Sequence, residues 1–182
     1  MKKQNGFNLI SLLLATAIAA ILTTIAAPSM AKFQSSYSSA SATALMHRHL
    51  ANARTLAINN EQTITVCGVS NDGSCLRSGF KEIAMFYDVN NNATMDQDEV
   101  IYYVSQLEAA NYLTLRASLR RRYIRFSKYG TAKQAGSFIY CDPDAERSAA
   151  RVTVSMSGRS YQGRDTNGDG IVEGTNGRPI RC

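Results

Sequence analysis

A chain of 182 residues suits one domain and an anchor, and the roughly 150 residues beyond position 32 are enough for one core. Four cysteines with no Cys-x-x-Cys pair, and only two histidines (His47 and His49), argue against a zinc site. Charge is uneven: over 116–182 thirteen Lys/Arg face six Asp/Glu, whereas seven face eight before that point, so the basic half suits a polyanion such as nucleic acid or acidic lipid, or serves solubility alone.

In chain order, Met1-Lys2-Lys3-Gln4-Asn5-Gly6 is a short basic start. The stretch 7–31 follows with no charged residue in it. Twenty-five uncharged, mostly apolar residues exceed the roughly 20 that span a bilayer as a helix. Lys2 and Lys3 keep the short end in the cytoplasm, so the rest faces the periplasm or exterior. The apolar run is too long for an ordinary secretory signal. Pro28, near its end, would remove one backbone hydrogen bond and bend the helix. Residues 34–41 are Ser-rich and read as a continuation of the helix or a soft joint. Ala42, Met46, Leu50, Ala53 and Ala57 then make one stripe of an amphipathic helix that stops near Asn59-Asn60.

A β-rich part comes next. Thr63-Ile64-Thr65-Val66-Cys67 is β-branched, and Asn71-Asp72-Gly73-Ser74 is a turn that brings Cys75 back toward Cys67. Residues 83–87 and 100–104 read as a hairpin around a polar loop. Residues 123–126, 137–140 and 151–156 supply further strands. The even cysteine count on a chain that leaves the cytoplasm points to disulfides. Of three connectivities, Cys67–Cys75 with Cys141–Cys182 is preferred, because the first closes a short loop and the second ties down the tail. His49 is read as structural or exposed, with no catalytic weight.

The leader is specific. Gly6-Phe7-Asn8-Leu9-Ile10-Ser11-Leu12-Leu13 resembles the class III signal of type IV pilins and type II secretion pseudopilins, and Pro28 falls where those proteins carry a helix-kinking proline. The resemblance implies prepilin peptidase cleavage after Gly6, N-methylation of Phe7, and assembly with other minor and major pilins. Ser11 stands where the family usually has Glu, a residue thought to pair with the amine of a neighbouring subunit. The order of pieces resembles the GspH/FimT branch: Ala53-Arg54-Thr55-Leu56-Ala57-Ile58, Val66-Cys67, Phe86-Tyr87-Asp88-Val89-Asn90-Asn91-Asn92, Arg125-Phe126-Ser127-Lys128-Tyr129-Gly130 and Val154-Ser155-Met156-Ser157-Gly158-Arg159. The implied fold is α+β, one long N-terminal helix packed on two antiparallel sheets. The implied organisation is leader 1–6, transmembrane helix 7–31, amphipathic continuation 32–60 and periplasmic or extracellular domain 61–182. The location is the inner membrane, then the pilus or cell surface. The implied function is a minor pilin at or near the tip that helps start assembly; the alternative is a minor pseudopilin of a type II secretion system.

Three further patterns carry expectations. Asp88, Asn90, Asn92, Thr94, Asp96 and Glu99 fit positions of a calcium-loop template, but Ala93 replaces its Gly, and a polar hairpin loop is preferred. Asp165-Thr166-Asn167-Gly168-Asp169-Gly170 starts in the same way and lacks the closing Glu, so a turn-rich tail is preferred. Arg120, Arg121, Arg122 and Arg125 form a dense cluster, and the tail Gly177-Arg178-Pro179-Ile180-Arg181-Cys182 resembles, with one extra residue of spacing, the Gly-Arg-x-Arg tail of DNA-binding FimT subunits. Arg159 and Arg164 sit in two more Gly-Arg pairs, where glycine would admit a phosphate and arginine would hold it. Double-stranded DNA is the partner this pattern implies, bound without sequence preference and sensitive to salt; a tail used for packing alone is the alternative. No phosphate loop, nucleophile elbow or paired catalytic carboxylates support an enzyme, and no cofactor is implied.

Overall fold

The computed structural model describes residues 8–106, 113–141, 149–167, 172–174 and 177–180, apart from the side chains of 25–29, 31, 32 and 35. One helix, α1 (Leu9–Asn59), runs 51 residues and continues past Pro28 as a single element. At 1.5 Å per residue it is roughly 75 Å long. Asn8 caps its start, with the side-chain oxygen accepting from the Ile10 amide at 3.3 Å. Its end is a Schellman motif: the Glu61 amide donates to Ile58 (3.3 Å) and the Gln62 amide to Ala57 (3.1 Å). Glu61 holds the left-handed position at φ 53°, where glycine is usual.

The helix has two regimes. Ala42, Met46, Leu50, Ala53 and Ala57, the predicted stripe, are all buried. Leu9, Ile10, Leu12, Leu13, Leu14, Ile18, Ile21 and Leu22 are each more than half exposed. Among the described residues no helix is long and apolar enough to cross a membrane. The span expected over 7–31 includes residues outside that description.

Two antiparallel sheets receive the helix. In the first, β1 (Ile64–Val69) pairs along one edge with β3 (Glu82–Tyr87), which pairs with β4 (Val100–Gln106). Its other edge is shared by β6 (Ile124–Phe126) and β2 (Cys75–Leu76). The second runs in the order β5 (Leu113–Ala117), β7 (Gly136–Cys141), β8 (Ala149–Val154), β9 (Ser160–Gln162). The helix stripe, Ile64, Val66, Phe80, Leu115, Phe126, Phe138 and Val152 belong to one apolar core between the layers. The Nε2 of His47 lies 3.1 Å from the Ser160 carbonyl and links α1 to β9.

Six strands fall at the segments expected from the sequence, over 63–67, 83–87, 100–104, 123–126, 137–140 and 151–156. β2, β5 and β9 were not anticipated: β2 lies within the Cys67 turn, β5 ahead of the basic run, and β9 is short and polar. The other face of the first sheet carries a smaller cluster of Cys67, Val69, Cys75, Ala84, Phe86, Ala93 and Tyr123. Cys67–Cys75 is a disulfide, with Cα atoms 5.5 Å apart. Cys141 is disulfide-bonded too. Its expected partner Cys182 lies outside the described residues.

Candidate functional site

The basic run does not form one surface. Arg116 ends up on β5, and Ser118–Arg120 is a single 3-10 turn. Arg120, Arg121 and Arg122 are exposed, while Arg125 is buried in β6. Strand alternation aims Ile124 and Phe126 at the helix and Arg125 at the opposite face. That face is covered. The β3–β4 loop folds over it and brings Asp88, 3% exposed, into an ion pair with Arg125. Arg125 also donates to the Thr65 hydroxyl at 3.0 Å. The expectation that Arg125 contacts DNA is therefore corrected: its guanidinium is spent inside the domain.

This pair organises both neighbouring segments. Asp88 Oδ2 accepts from the Ala93 amide at 3.0 Å and fixes the loop. The Arg125 guanidinium lies 4.2 Å from the Tyr123 ring centroid, and Arg121 donates to the Tyr123 hydroxyl at 3.1 Å. Gln134 donates to the Tyr123 carbonyl at 2.9 Å, and Arg77 donates to the Arg120 carbonyl. Between the two segments lies an open groove of about 460 Å³ bordered by Asn91, Asn92, Ala93 and Leu119–Tyr123.

The calcium reading of the loop does not fit this geometry. Asp88 is taken by Arg125 and Ala93. Asn90 and Asn92 both turn their amide Nδ2 donors to Asp96, at 2.8 Å each. Glu99 accepts from the Val89 amide at 2.9 Å. Burial, with Asp88 and Asp96 close by, pushes the Glu99 carboxyl up. The Thr94 amide is held by the Asn92 side chain at 2.7 Å. Among the described residues no three His, Cys, Asp or Glu are grouped to hold a metal. The loop is a polar hairpin turn in which most side-chain acceptors are occupied by its own donors, while Asp88 Oδ1 is buried without a partner.

The other arginines lie around the tail. The Glu173 amide reaches the Arg164 carbonyl (3.4 Å), and the Gly174 amide reaches the Arg178 carbonyl (2.6 Å). Arg164 lines an open groove of about 660 Å³, and both Arg164 and Arg178 are exposed. Arg159 is exposed in the β8–β9 turn. A Cβ on Gly158 would stand 1.8 Å from the Gly130 carbonyl oxygen, and one on Gly163 would stand 2.4 Å from Val172. Both positions are needed for packing, whereas a Cβ on Gly177 would meet nothing within 4 Å. Arg181, Gly6, Phe7 and residues 168–170 lie outside the described residues.

His49 is buried, and neither ring nitrogen has a partner in the structure. Its ring centroid is 5.1 Å from that of Tyr103. Burial lowers its pKa from the usual 6.5, and neighbouring Arg48 adds to this. It is a structural residue.

One long helix, half embedded and half bare, laid on two antiparallel sheets is the architecture of a pilin-like subunit. The profile of the family described as Type II transport protein GspH matches residues 42–158, more than half of the chain, and the chain belongs to that family. Two crystal structures of the type IV minor pilin FimU of Pseudomonas aeruginosa (strain PAO1) are similar. One, in space group P21, shows 16% identity and a TM-score of 0.50 over 78% of this chain and 92% of that one. The other, in P65, shows 15% identity and a TM-score of 0.48 over 68% and 91%. The first likeness establishes the fold. No curated protein matches the sequence.

Proposed function

We propose that this chain is a minor pilin of a type IV pilus, anchored in the inner membrane by residues 7–31 after cleavage behind Gly6. The observation that carries the reading is the contrast within α1. Eight large apolar side chains between Leu9 and Leu22 are more than half exposed, while the stripe from Ala42 to Ala57 is buried. An apolar helix surface of that extent needs a bilayer first and sister helices afterwards. Ser11, exposed on that helix, cannot supply the carboxylate of an ordinary pilin at that position. This supports a place at or near the tip and a part in starting assembly. Deleting the gene should reduce surface pili, and re-expression should restore them. Ser11→Glu tests the tip position: a many-fold rise in incorporation with function intact contradicts it.

The exposed arginines Arg120, Arg121, Arg122, Arg159, Arg164 and Arg178, with Arg181, support a second activity, sequence-independent binding of double-stranded DNA. Arg178→Ala with Arg181→Ala should weaken a gel shift by the folded protein, and unchanged binding removes the tail from the account. The family's description as a type II transport protein favours a second reading, a minor pseudopilin of a type II secretion system. In that case deletion blocks exoprotein export and leaves pili unchanged.

A further inference from the structure

One sheet edge differs from the rest among the described residues. At β2 the Cys75 amide donates to the Ala93 carbonyl (3.0 Å), and at β6 the Lys133 amide donates to the Arg125 carbonyl (2.8 Å). At β5 the Leu115 amide donates to the Arg77 carbonyl (2.6 Å), and on β9 the Ser160 carbonyl lies 3.1 Å from His47 Nε2 of α1. Those edges are closed from within the domain. β4 is paired by β3 on one side, and among the described residues no backbone group bonds its outer side. At seven residues it is the longest strand described, roughly 23 Å from end to end.

Its side chains leave it equally open. Every residue of β4 is exposed or half-buried, whereas the middle of β3 is buried. Val100, Ile101, Tyr103 and Val104 are each more than 40% exposed. The register sets Ile101 and Val104 opposite Phe86 and Ala84, on the face away from α1, and Tyr103 opposite Met85, on the helix face. Free edges are ordinarily blunted by charge, by proline or by a bulge. β4 contains no charged residue and no proline. Its bulge falls at Tyr102, whose hydroxyl donates to Gln62 at 2.7 Å, and it leaves Tyr103–Gln106 in regular register. A bare apolar edge of this length is a template for another strand.

We infer that β4 is completed by a strand from a neighbouring, different pilin-like subunit, one flanked by Lys or Arg. Main-chain hydrogen bonds to the open side would hold that strand, and alternate side chains would pack on Ile101 and Val104. Charge selects the partner. Around the ends of β4 stand Asp96, Asp98, Glu99 and Glu82, with Lys81 alone against them. Pairing β4 with β4 of a second copy would bring acidic ends together, and the other edges of this chain are closed, so a second copy is disfavoured. The same strand is tied to the helix rod: Tyr102 bonds Gln62 just past α1, and the Tyr103 ring lies 5.1 Å from that of His49. Helix bundling and strand pairing can therefore join the same two subunits. The inference rests on the minor-pilin reading and names the surface its neighbour takes.

The test uses the full chain in its own cells, with immunoblots of sheared filaments and of membranes. Ile101→Lys/Val104→Lys charges the edge and should lower the filament share about tenfold or more, with processing and melting temperature unchanged. Ile101→Thr/Val104→Thr keeps β-branched residues and should stay within about threefold of wild type. A photo-crosslinking benzoylphenylalanine at Tyr103 should link to an edge strand of a different pilin-like chain, mapped by mass spectrometry. If the lysine variant enters filaments like wild type, the edge is overturned and the minor-pilin reading stands. If the wild-type chain is absent from filaments, both fall. If the lysine variant is misprocessed or melts early, the crosslink decides: a link to an edge strand of another pilin-like chain supports the inference, and a link to a second copy, or none, overturns it.

Discussion

Asp88→Ala should be among the most damaging single changes in the domain. It leaves the Arg125 guanidinium, whose side chain is 9% exposed, without its counter-charge. Breaking a buried pair from one side costs about 3–5 kcal/mol, because the remaining charge is neither solvated nor matched. The Ala93 amide also loses its acceptor, at about 1 kcal/mol. Against a total stability of about 5–15 kcal/mol, a loss near 4–6 brings the domain close to unfolding. Arg125→Met leaves the buried Asp88 carboxylate with the Ala93 amide as its remaining donor, so it should also cost about 3–5 kcal/mol. The double variant Asp88→Ala/Arg125→Met leaves no buried charge, so it should be more stable than Asp88→Ala alone, with a coupling of about 2 kcal/mol or more. Urea denaturation of the full chain in detergent, followed by circular dichroism, measures all four corners of the cycle. A cost below about 1 kcal/mol for Asp88→Ala, or strict additivity of the two changes, would refute the reasoning.

Glu61→Gly relieves a left-handed residue at the helix end and should raise stability by about 1 kcal/mol, read as a higher denaturation midpoint. Opening the Cys67–Cys75 bridge by replacing both cysteines with alanine frees a loop of sequence separation 8. The loop-entropy relation gives a loss of about 2.5 kcal/mol, measurable as a lower urea midpoint without reductant. His49 is held neutral, with a folded pKa below the unfolded 6.5. Its contribution is therefore fully present above pH 6.5 and is lost as the pH falls through the folded pKa. Stability measured between pH 7 and 5 should decline less steeply in His49→Leu than in wild type.

The helix was legible because its stripe recurs at 3.6 residues over four turns, and Met46, Leu50, Ala53 and Ala57 are all fully buried. The segments around Val66, Phe86 and Val152 were legible from β-branched or apolar runs bounded by turn residues, and they are buried almost throughout. The short strands were not. Cys75–Leu76 is two residues long and gains its pairing from the disulfide loop, and Ser160–Gln162 is polar with one face on α1. Arg116 masked Leu113–Ala117 by reading as the start of a basic run, although Leu113 and Leu115 alternate into the core.

The site shows where local reading ends. Arg120, Arg121 and Arg122 were found from their density, but the same density drew in Arg125. Alternation with Ile124 and Phe126 shows that Arg125 faces away from the helix. It does not show that Asp88, 37 positions earlier, covers that face. The sequence offers Asn92 as a cation ligand or turn residue, and Asn91 only as part of the polar hairpin loop. Their place beside the arginines follows from a loop folding across the sheet, which periodicity does not record. Gly158 has a left-handed φ of 77°, and the Gly130 carbonyl that needs the space comes from another turn, which local sequence does not record.

The central claim is that this is a filament subunit whose apolar helix starts at a processed end. Mass spectrometry of the mature chain from cells with and without prepilin peptidase tests it most directly. The account predicts a product beginning at a methylated Phe7 when the peptidase is present and the unprocessed chain when it is absent. A mature product that keeps Met1 in both strains would contradict it.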